Sequence, residues 1–192
     1  MQKVELEIIA LSHSVTQSNS YAVILGETNG TRRLPIVIGG FEAQAIAVAL
    51  ENMHPSRPLT HDLMKNFMTA FDIQLQEVYI CDLQEGIFYS KLVCNTANDT
   101  IEIDSRTSDA LALAVRFGCP IFVHTHILDQ AGLTNETEEK LTTPVAASSA
   151  TPSKKLANLS LQELNDLLAE VLEQEDYIRA IDIRDEIKKR NA

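Results

Sequence analysis

The run LPIVIGGFEAQAIAVALENM, residues 34–53, changes its period halfway along. Its first five residues are rich in Val, Ile and Leu, as β-strands are, and Gly39 and Gly40 then end the strand. Residues 41–53 are rich in Ala and repeat apolar side chains at helical spacing. This stretch therefore predicts a strand that leads through a glycine turn directly into a helix.

The pattern continues on both sides of this run. A hairpin signal, Asn29-Gly30, joins the strand to an earlier one. Thr60 is a suitable N-cap for a second helix after a proline-containing loop. In chain order, the predicted strands are residues 4–11, 21–26, 34–38, 73–83, 87–94, 100–103 and 121–128, and the predicted helices are 41–53, 61–71 and 105–116. Hairpins without regular βαβ alternation indicate an α+β fold, a mixed, largely antiparallel sheet packed with about three helices.

The pattern disappears beyond this domain, residues 1–132, and then returns. Residues 133–158 are polar, small and interrupted by proline, which predicts a flexible linker. Ser160 and Glu163 form a capping box at the start of an apolar stripe with helical spacing. A break near Asp176 divides the region, so residues 159–190 are predicted to form a C-terminal αα-hairpin.

Charge and composition limit the function classes. The net charge is −11, and residues 1–132 hold fifteen acidic against eight basic residues, so no basic footprint for nucleic acid is present. No apolar run is long enough to span a membrane, and the alternating start predicts no signal peptide. Three cysteines without Cys-x-x-Cys spacing indicate reduced thiols and a cytoplasmic location.

Polar residues that packing alone does not require occur in several separate stretches. They are residues 34–46, followed by residues 57–63 (RPLTHDL), and later residues 104–114 (DSRTSDALALA). Their order, with the strand of residues 120–123 after them, resembles the bifunctional nuclease family over residues 1–129. The resemblance implies a nucleic acid substrate, with hydrolysis of phosphodiester bonds in DNA, RNA or both.

The C-terminal hairpin carries a resemblance of its own. Its runs EDYIRA, residues 175–180, and IRDEI, residues 183–187, are similar to the UvrB/UvrC-type (UVR) motif. The resemblance implies that residues 159–190 bind a partner protein. A hairpin this small does not bury its apolar stripe alone, so we expect it to dock on a partner protein, on a second copy of the chain or on its own domain. The second copy makes the protein a candidate homo-oligomer.

Carboxylates stand at or near the predicted helix starts, where the three helices are expected to converge. Phosphodiester hydrolysis needs an activated water and a stabiliser of negative charge, commonly a divalent ion held by carboxylates. We therefore expect Glu42, Asp62 and Asp109 to be metal ligands, with Mg²⁺ the expected ion. The alternative is structural, because an acid at a helix start satisfies free N–H groups and the helix dipole.

Three residues are predicted to be catalytic: Asp109, Arg106 and His61. His61 suits proton transfer, because histidine titrates near neutrality, although in a first helical turn a histidine is more often an exposed surface residue. Arg106 suits a bidentate contact with a phosphate, or a structural pair with Asp109 or Asp104. His124 and His126 alternate on the predicted last strand and face one side, where they could bind a metal, but no third ligand is evident.

A rival function belongs to a different class. The strongly negative charge and the capping explanation of the acids are consistent with a non-catalytic regulatory module. In that interpretation the domain is a scaffold and the hairpin binds a partner protein. Nuclease activity with and without the hairpin separates the two hypotheses.

Overall fold

The fold is seen in a computed structural model that describes residues 2–13, 20–134, 159–173, 180, 183–184 and 186–187. Two compact units divide the chain, residues 1–142 and 143–192. The first unit is an α+β domain, as predicted.

The first unit is built on a seven-stranded sheet. Its strands are β1 Lys3–His13, β2 Ser20–Glu27, β3 Arg33–Gly39, β4 Gln74–Gln84, β5 Ile87–Asn95, β6 Thr100–Arg106 and β7 Ile121–His124. The spatial order is β3-β2-β1-β7-β4-β5-β6, and all neighbours are antiparallel except β4 and β7. The sheet therefore consists of two antiparallel three-stranded meanders with β7 between them.

Four helices accompany the sheet: α1 Gly40–Leu50, α2 Thr60–Ala70, α3 Thr107–Phe117 and α4 Thr125–Ala131. The two outermost strands, β3 and β6, lead directly into α1 and α3, and these two helices pack against each other. Buried alanines on α1 and α3 allow this close approach, while Ile46 and Leu111 fill the core. The chain segments that leave opposite edges of the sheet thus meet at one place.

The end of the domain differs from the predicted strand of residues 121–128. β7 stops at His124, and the chain continues as α4, with His124 as its N-cap. The His124 ring accepts a hydrogen bond from the backbone N–H of His126, and this cap starts a helix inside a β-branched run. His124 and His126 therefore do not share a strand face.

Two smaller differences concern helix starts. The N-cap of α2 is Leu59, and Thr60 is already helical. Asp62 completes this start by accepting a hydrogen bond from the Leu59 backbone N–H at 2.9 Å. The other helix, α3, begins after Arg106, because β6 extends further than predicted.

The second unit contains the helix α5, Leu161–Glu173. The predicted capping box is present, with Ser160 and Glu163 joined reciprocally. Leu164 and Val171 on the apolar stripe are buried. Most of the second predicted helix and residues 135–158 of the predicted linker lie outside the described residues, so the hairpin stays a prediction. None of the helices in the described ranges is long and apolar enough to cross a membrane.

The packing of α3 gives a stability prediction. Leu111 is fully buried on α3, so Leu111→Ala should lower the free energy of unfolding by about 2–5 kcal/mol through lost burial and a cavity. Leu63 is 63% exposed on α2, and Leu63→Ala is the matched control, with an expected change within about 0.5 kcal/mol. Urea denaturation measures both, and equal losses would contradict this description of the core.

Candidate functional site

Charged side chains from three helix starts meet on one side of the domain. Glu42, His61 and Asp109 lie in the first turns of α1, α2 and α3, and Arg106 is the N-cap residue of α3. We call Glu42, His61, Arg106 and Asp109 the charged cluster. All three predicted catalytic residues belong to it.

Direct contacts link the cluster in a row. The two oxygens of Asp109 are shared, with Oδ1 at 3.0 Å from His61 Nε2 and Oδ2 at 2.7 Å from Arg106 Nε. The other end of the guanidinium, Arg106 Nη1, lies 3.0 Å from Glu42 Oε1. The order is therefore Glu42–Arg106–Asp109–His61.

Asp109 is held as a carboxylate by its neighbours. Partial burial acts to raise the pKa of this carboxyl, but the hydrogen bonds from Arg106 and His61 outweigh burial and leave the pKa below its usual value. An ionised carboxylate only accepts hydrogen bonds, so His61 Nε2 carries the proton in this contact. The lone pair of a neutral His61 is then on Nδ1. Its side chain is only 14% exposed, in contrast to the ordinary surface histidine considered above.

Arg106 joins the cluster to solvent. Its side chain is 69% exposed although two of its nitrogens are engaged by acids. The hydrogen bond with Asp109, and then the one with Glu42, raise the pKa of the guanidinium above its ordinary value. A guanidinium has five N–H donors in a fixed plane, so further donors are accessible to a ligand oxygen.

The glycine turn after β3 makes room for Glu42. An added Cβ at Gly39 would lie 2.5 Å from Glu42 Oε2, so a side chain here would displace the carboxylate from its position beside Arg106. The backbone of Gly39 is extended, which any residue adopts. The requirement at residue 39 is therefore space and not conformational freedom.

Asp62 is engaged elsewhere, in a second pair with Arg116. Arg116 Nε lies 2.6 Å from Asp62 Oδ1, and the other Asp62 oxygen caps α2. Arg116 is only 5% exposed and also donates through Nη1 to the carbonyl oxygens of Ala45 on α1 and Ala112 on α3, each at 2.9 Å. This guanidinium links all three helices that carry the cluster.

Sequence reasoning did not select Arg116 as a site residue. The available signal was a single cation in the last turn of a helix whose middle, residues 110–115, is apolar, and an arginine there is also favoured by the helix dipole. Its Nη2 is buried without a hydrogen-bond partner among the described residues.

A cavity of about 380 Å³ lies beside Arg106 and Glu42. Its lining comes from the end of β3, the start of β5, the end of β6 and the first residues of α3. Asp104 and Ser108, two residues of the sequence motif, also line it. The exposed part of the charged cluster therefore opens onto a space large enough for a small ligand.

Comparison with known families gives this site a context. The model of the bifunctional nuclease domain matches residues 23–136, a range that contains the whole charged cluster. The chain belongs to the bifunctional nuclease domain family. The resemblance noted in the sequence motifs is confirmed at the level of the family.

Relatives of this nuclease-family domain occur in bacteria and plants. An uncharacterized protein of Mycobacterium tuberculosis is 45% identical over 129 residues, which cover 66% of this chain and 77% of the relative. Bifunctional nuclease 1 of Arabidopsis thaliana is 24% identical over 179 residues, 86% of this chain and 55% of that protein. Bifunctional nuclease 1 of Oryza sativa subsp. japonica is 26% identical over 117 residues, 59% of this chain and 35% of that protein.

The predicted metal ligands of the nuclease domain do not gather around a common point. Asp62 faces Arg116 and the start of α2, while Glu42 and Asp109 each contact Arg106. Within the described residues, no three His, Cys, Asp or Glu side chains are arranged to hold a metal ion. A single ion held jointly by the three acids therefore does not fit this arrangement.

Outside the cluster, the two histidines near β7 form a pair. Their Nδ1 atoms lie 2.6 Å apart, and Asp82 is 3.9 Å from His126 Nε2. The pair serves the start of α4, because His124 is its N-cap. It contributes nothing to the charged cluster.

The Asp62–Arg116 pair, in which the guanidinium is buried, gives a test by stability measurement. Arg116→Met should lower the free energy of unfolding by about 3 kcal/mol, because it leaves Asp62 and two carbonyl groups without their partner. Arg106→Met is the matched control and should cost less than about 1 kcal/mol, since that side chain is mostly exposed. Urea denaturation compares them; a larger loss for Arg106→Met would refute this account.

The same pair predicts a pH dependence of stability. Burial acts to raise the pKa of Asp62, but hydrogen bonds from Arg116 and the Leu59 backbone leave it below its usual value. Its contribution is thus fully present above about pH 4, the ordinary pKa of an aspartate, and is lost as pH falls through the lower folded value. Asp62→Asn should therefore be less stable than the parent at neutral pH, with a gap that closes in acid. Denaturation across pH measures the gap, and a gap independent of pH would count against the pairing.

Proposed function

We propose that this domain hydrolyses phosphodiester bonds of nucleic acid at the charged cluster. Membership of the bifunctional nuclease domain family supports the reaction class. The observation that carries the proposal is the row of contacts in which Asp109 joins His61 to an exposed Arg106. A histidine oriented by a carboxylate, beside a cation that reaches solvent, is an arrangement suited to acid–base chemistry on a phosphate.

His61 acts in this proposal as the proton acceptor. Asp109 accepts from Nε2 and fixes the ring, so that Nδ1 takes a proton from the attacking water. The water oxygen bonds to phosphorus, and the bond from phosphorus to the leaving sugar oxygen breaks. The leaving oxygen gains a proton, from solvent or from the protonated His61.

Arg106 acts as the phosphate ligand. Negative charge grows on the phosphoryl oxygens in the transition state, and a fixed guanidinium stabilises it. Glu42 and Asp109 hold the plane of this guanidinium from two sides. The two carboxylates also weaken phosphate binding, because their negative charge beside the guanidinium repels an approaching anion.

The steps above do not include the expected Mg²⁺. Asp62, one of its three predicted ligands, is paired with Arg116, so the steps use only the side chains of the charged cluster. A chelator in the assay tests the predicted metal requirement.

The C-terminal unit supplies a separate proposal, that residues 159–190 bind a partner protein. Support comes from the UVR-like sequence and from α5, whose capped start and apolar stripe agree with the first half of the expected hairpin. Removal of residues 156–192 should abolish capture of such a partner, or self-association, and leave hydrolysis intact.

The nuclease proposal is tested on the full-length chain with single-stranded DNA, RNA and a chromogenic phosphodiester, each with Mg²⁺ and with chelator. His61→Gln should slow hydrolysis by about 10²-fold or more, as loss of general base catalysis does. Arg106→Lys keeps the charge but loses the fork, and should also slow the reaction, by about 10²-fold. His54→Gln, at an exposed histidine in the loop before α2, is the matched control and should keep the parent rate.

Two results would reject the proposal in different ways. Parent-like rates for folded His61→Gln and Arg106→Lys would mean that an active enzyme uses another site. Absence of hydrolysis by the parent in every condition would favour the non-catalytic module, in which the cluster only joins the helix starts.

A further inference from the structure

The cavity beside Arg106 has walls of two kinds. Charged side chains, Arg106 and Glu42, lie at one wall. The lining also includes three apolar side chains that remain accessible, one from β3 and two from β5: Val37, Ile87 and Tyr89 are 54%, 60% and 39% exposed. A ligand that covers these apolar side chains removes them from water, which favours binding.

Strand register places the aromatic ring next to the guanidinium. Tyr89 on β5 and Arg106 on β6 are directly opposite each other in the antiparallel pair. Directly opposed residues share a face, with Cβ atoms about 5 Å apart. Ile87 lies two residues before Tyr89 on the same strand and therefore on the same face. A continuous apolar surface thus begins at the proposed phosphate ligand.

We propose that this cavity binds one unpaired nucleobase of the substrate, stacked on Tyr89 and Ile87 and adjacent to the phosphate at Arg106. The inference rests on the proposed function, in which Arg106 contacts the phosphate. A nucleotide joins a flat π-surface to an anion across one sugar, and the cavity offers an aromatic and aliphatic wall next to one guanidinium. A base within a duplex is stacked and paired, so it must be single-stranded or extruded to enter.

Electrostatics makes the base the main source of affinity. Arg106 is the sole basic residue in the cavity lining of the described chain, and Glu42 and Asp104 bring negative charge there. The whole chain carries a net charge of −11. Binding through phosphates alone is therefore weak, and its dependence on salt corresponds to about one neutralised phosphate, a slope of about −0.7 in logarithmic units for a single strand.

The test compares two oligomers with the same phosphates. One ligand is a labelled oligothymidylate of twelve nucleotides, and the other is a fully abasic oligomer of equal length. Fluorescence anisotropy measures how tightly each binds the full-length chain carrying His61→Gln, a substitution that prevents hydrolysis of the ligand during the measurement. The thymidine oligomer should bind at least about 10-fold more tightly than the abasic one. Tyr89→Ala should lower the affinity for the thymidine oligomer about 10-fold, as expected for loss of one stacked base. Tyr89→Phe should retain the affinity, because the ring remains.

An exposed aromatic elsewhere gives the control. Phe71, 65% exposed at the end of α2, lies outside the cavity, so adding Phe71→Ala to the His61→Gln chain should leave the affinity for both oligomers unchanged. Equal affinities for the thymidine and abasic oligomers would overturn the proposal, and so would unchanged binding by folded Tyr89→Ala. A salt slope several times steeper would also overturn it, since affinity would then come from phosphates.

A second probe does not depend on removing Tyr89. The chain contains no tryptophan, so Ile87→Trp introduces a single indole at the cavity. Its fluorescence should be quenched by the thymidine oligomer and unaffected by the abasic one; no quenching by either would overturn the proposal.

Hydrolysis separates this inference from the nuclease proposal itself. If the parent chain cleaved the abasic oligomer as fast as the thymidine oligomer, the nuclease proposal would stand and the base site would be refuted. If binding depended on the base but the parent chain hydrolysed neither oligomer, the base site would be supported and the nuclease proposal would be refuted.

Discussion

The buried guanidinium of Arg116 is the contact on which the geometry of the charged cluster depends. It reaches the side chain of Asp62 on α2 and backbone oxygens on α1 and α3, so three helices share one cation. The hydrogen bonds of Nε and Nη1 stabilise this buried arginine, and together they fix distances and angles between the three helices. Because His61 is the chain neighbour of Asp62, the same contact sets where the imidazole meets Asp109.

The second contact that joins separate elements, the ion pair of Arg106 with Glu42, is exposed and contributes less to stability. Arg106 is the last residue of one outermost strand and Glu42 follows the other, and both side chains of this ion pair line the cavity. An exposed pair is worth little to stability. Its value is positional, since it holds the guanidinium plane while leaving donors accessible. The domain thus separates a buried cation that organises the helices from an exposed one that can meet a ligand.

Local signals accounted for most of the fold, and long-range pairing accounted for what they missed. Gly39 and Gly40 marked the strand-to-helix turn correctly, because a turn depends on neighbouring residues. The run after Ile121 looked like one long strand, since His124 as a helix cap is visible only when its ring meets a backbone N–H. In the sequence, the acids at helix starts all shared one structural explanation, the capping of free N–H groups. Only the fold assigns Asp109 to the cluster and Asp62 to a partner 54 residues away.

The position of β7 has a consequence for how the domain is made. The last strand of the sheet in sequence is the central one in space, and it pairs with β1 on one side and β4 on the other. A nascent chain that has emerged only as far as residue 120 holds two meanders without the strand between them, and the inner edges of both are open to other chains. Closure waits for pairs such as Lys3 with His124, which span nearly the whole domain and are slow to form. The sheet is therefore completed only after nearly the entire first unit has been synthesised.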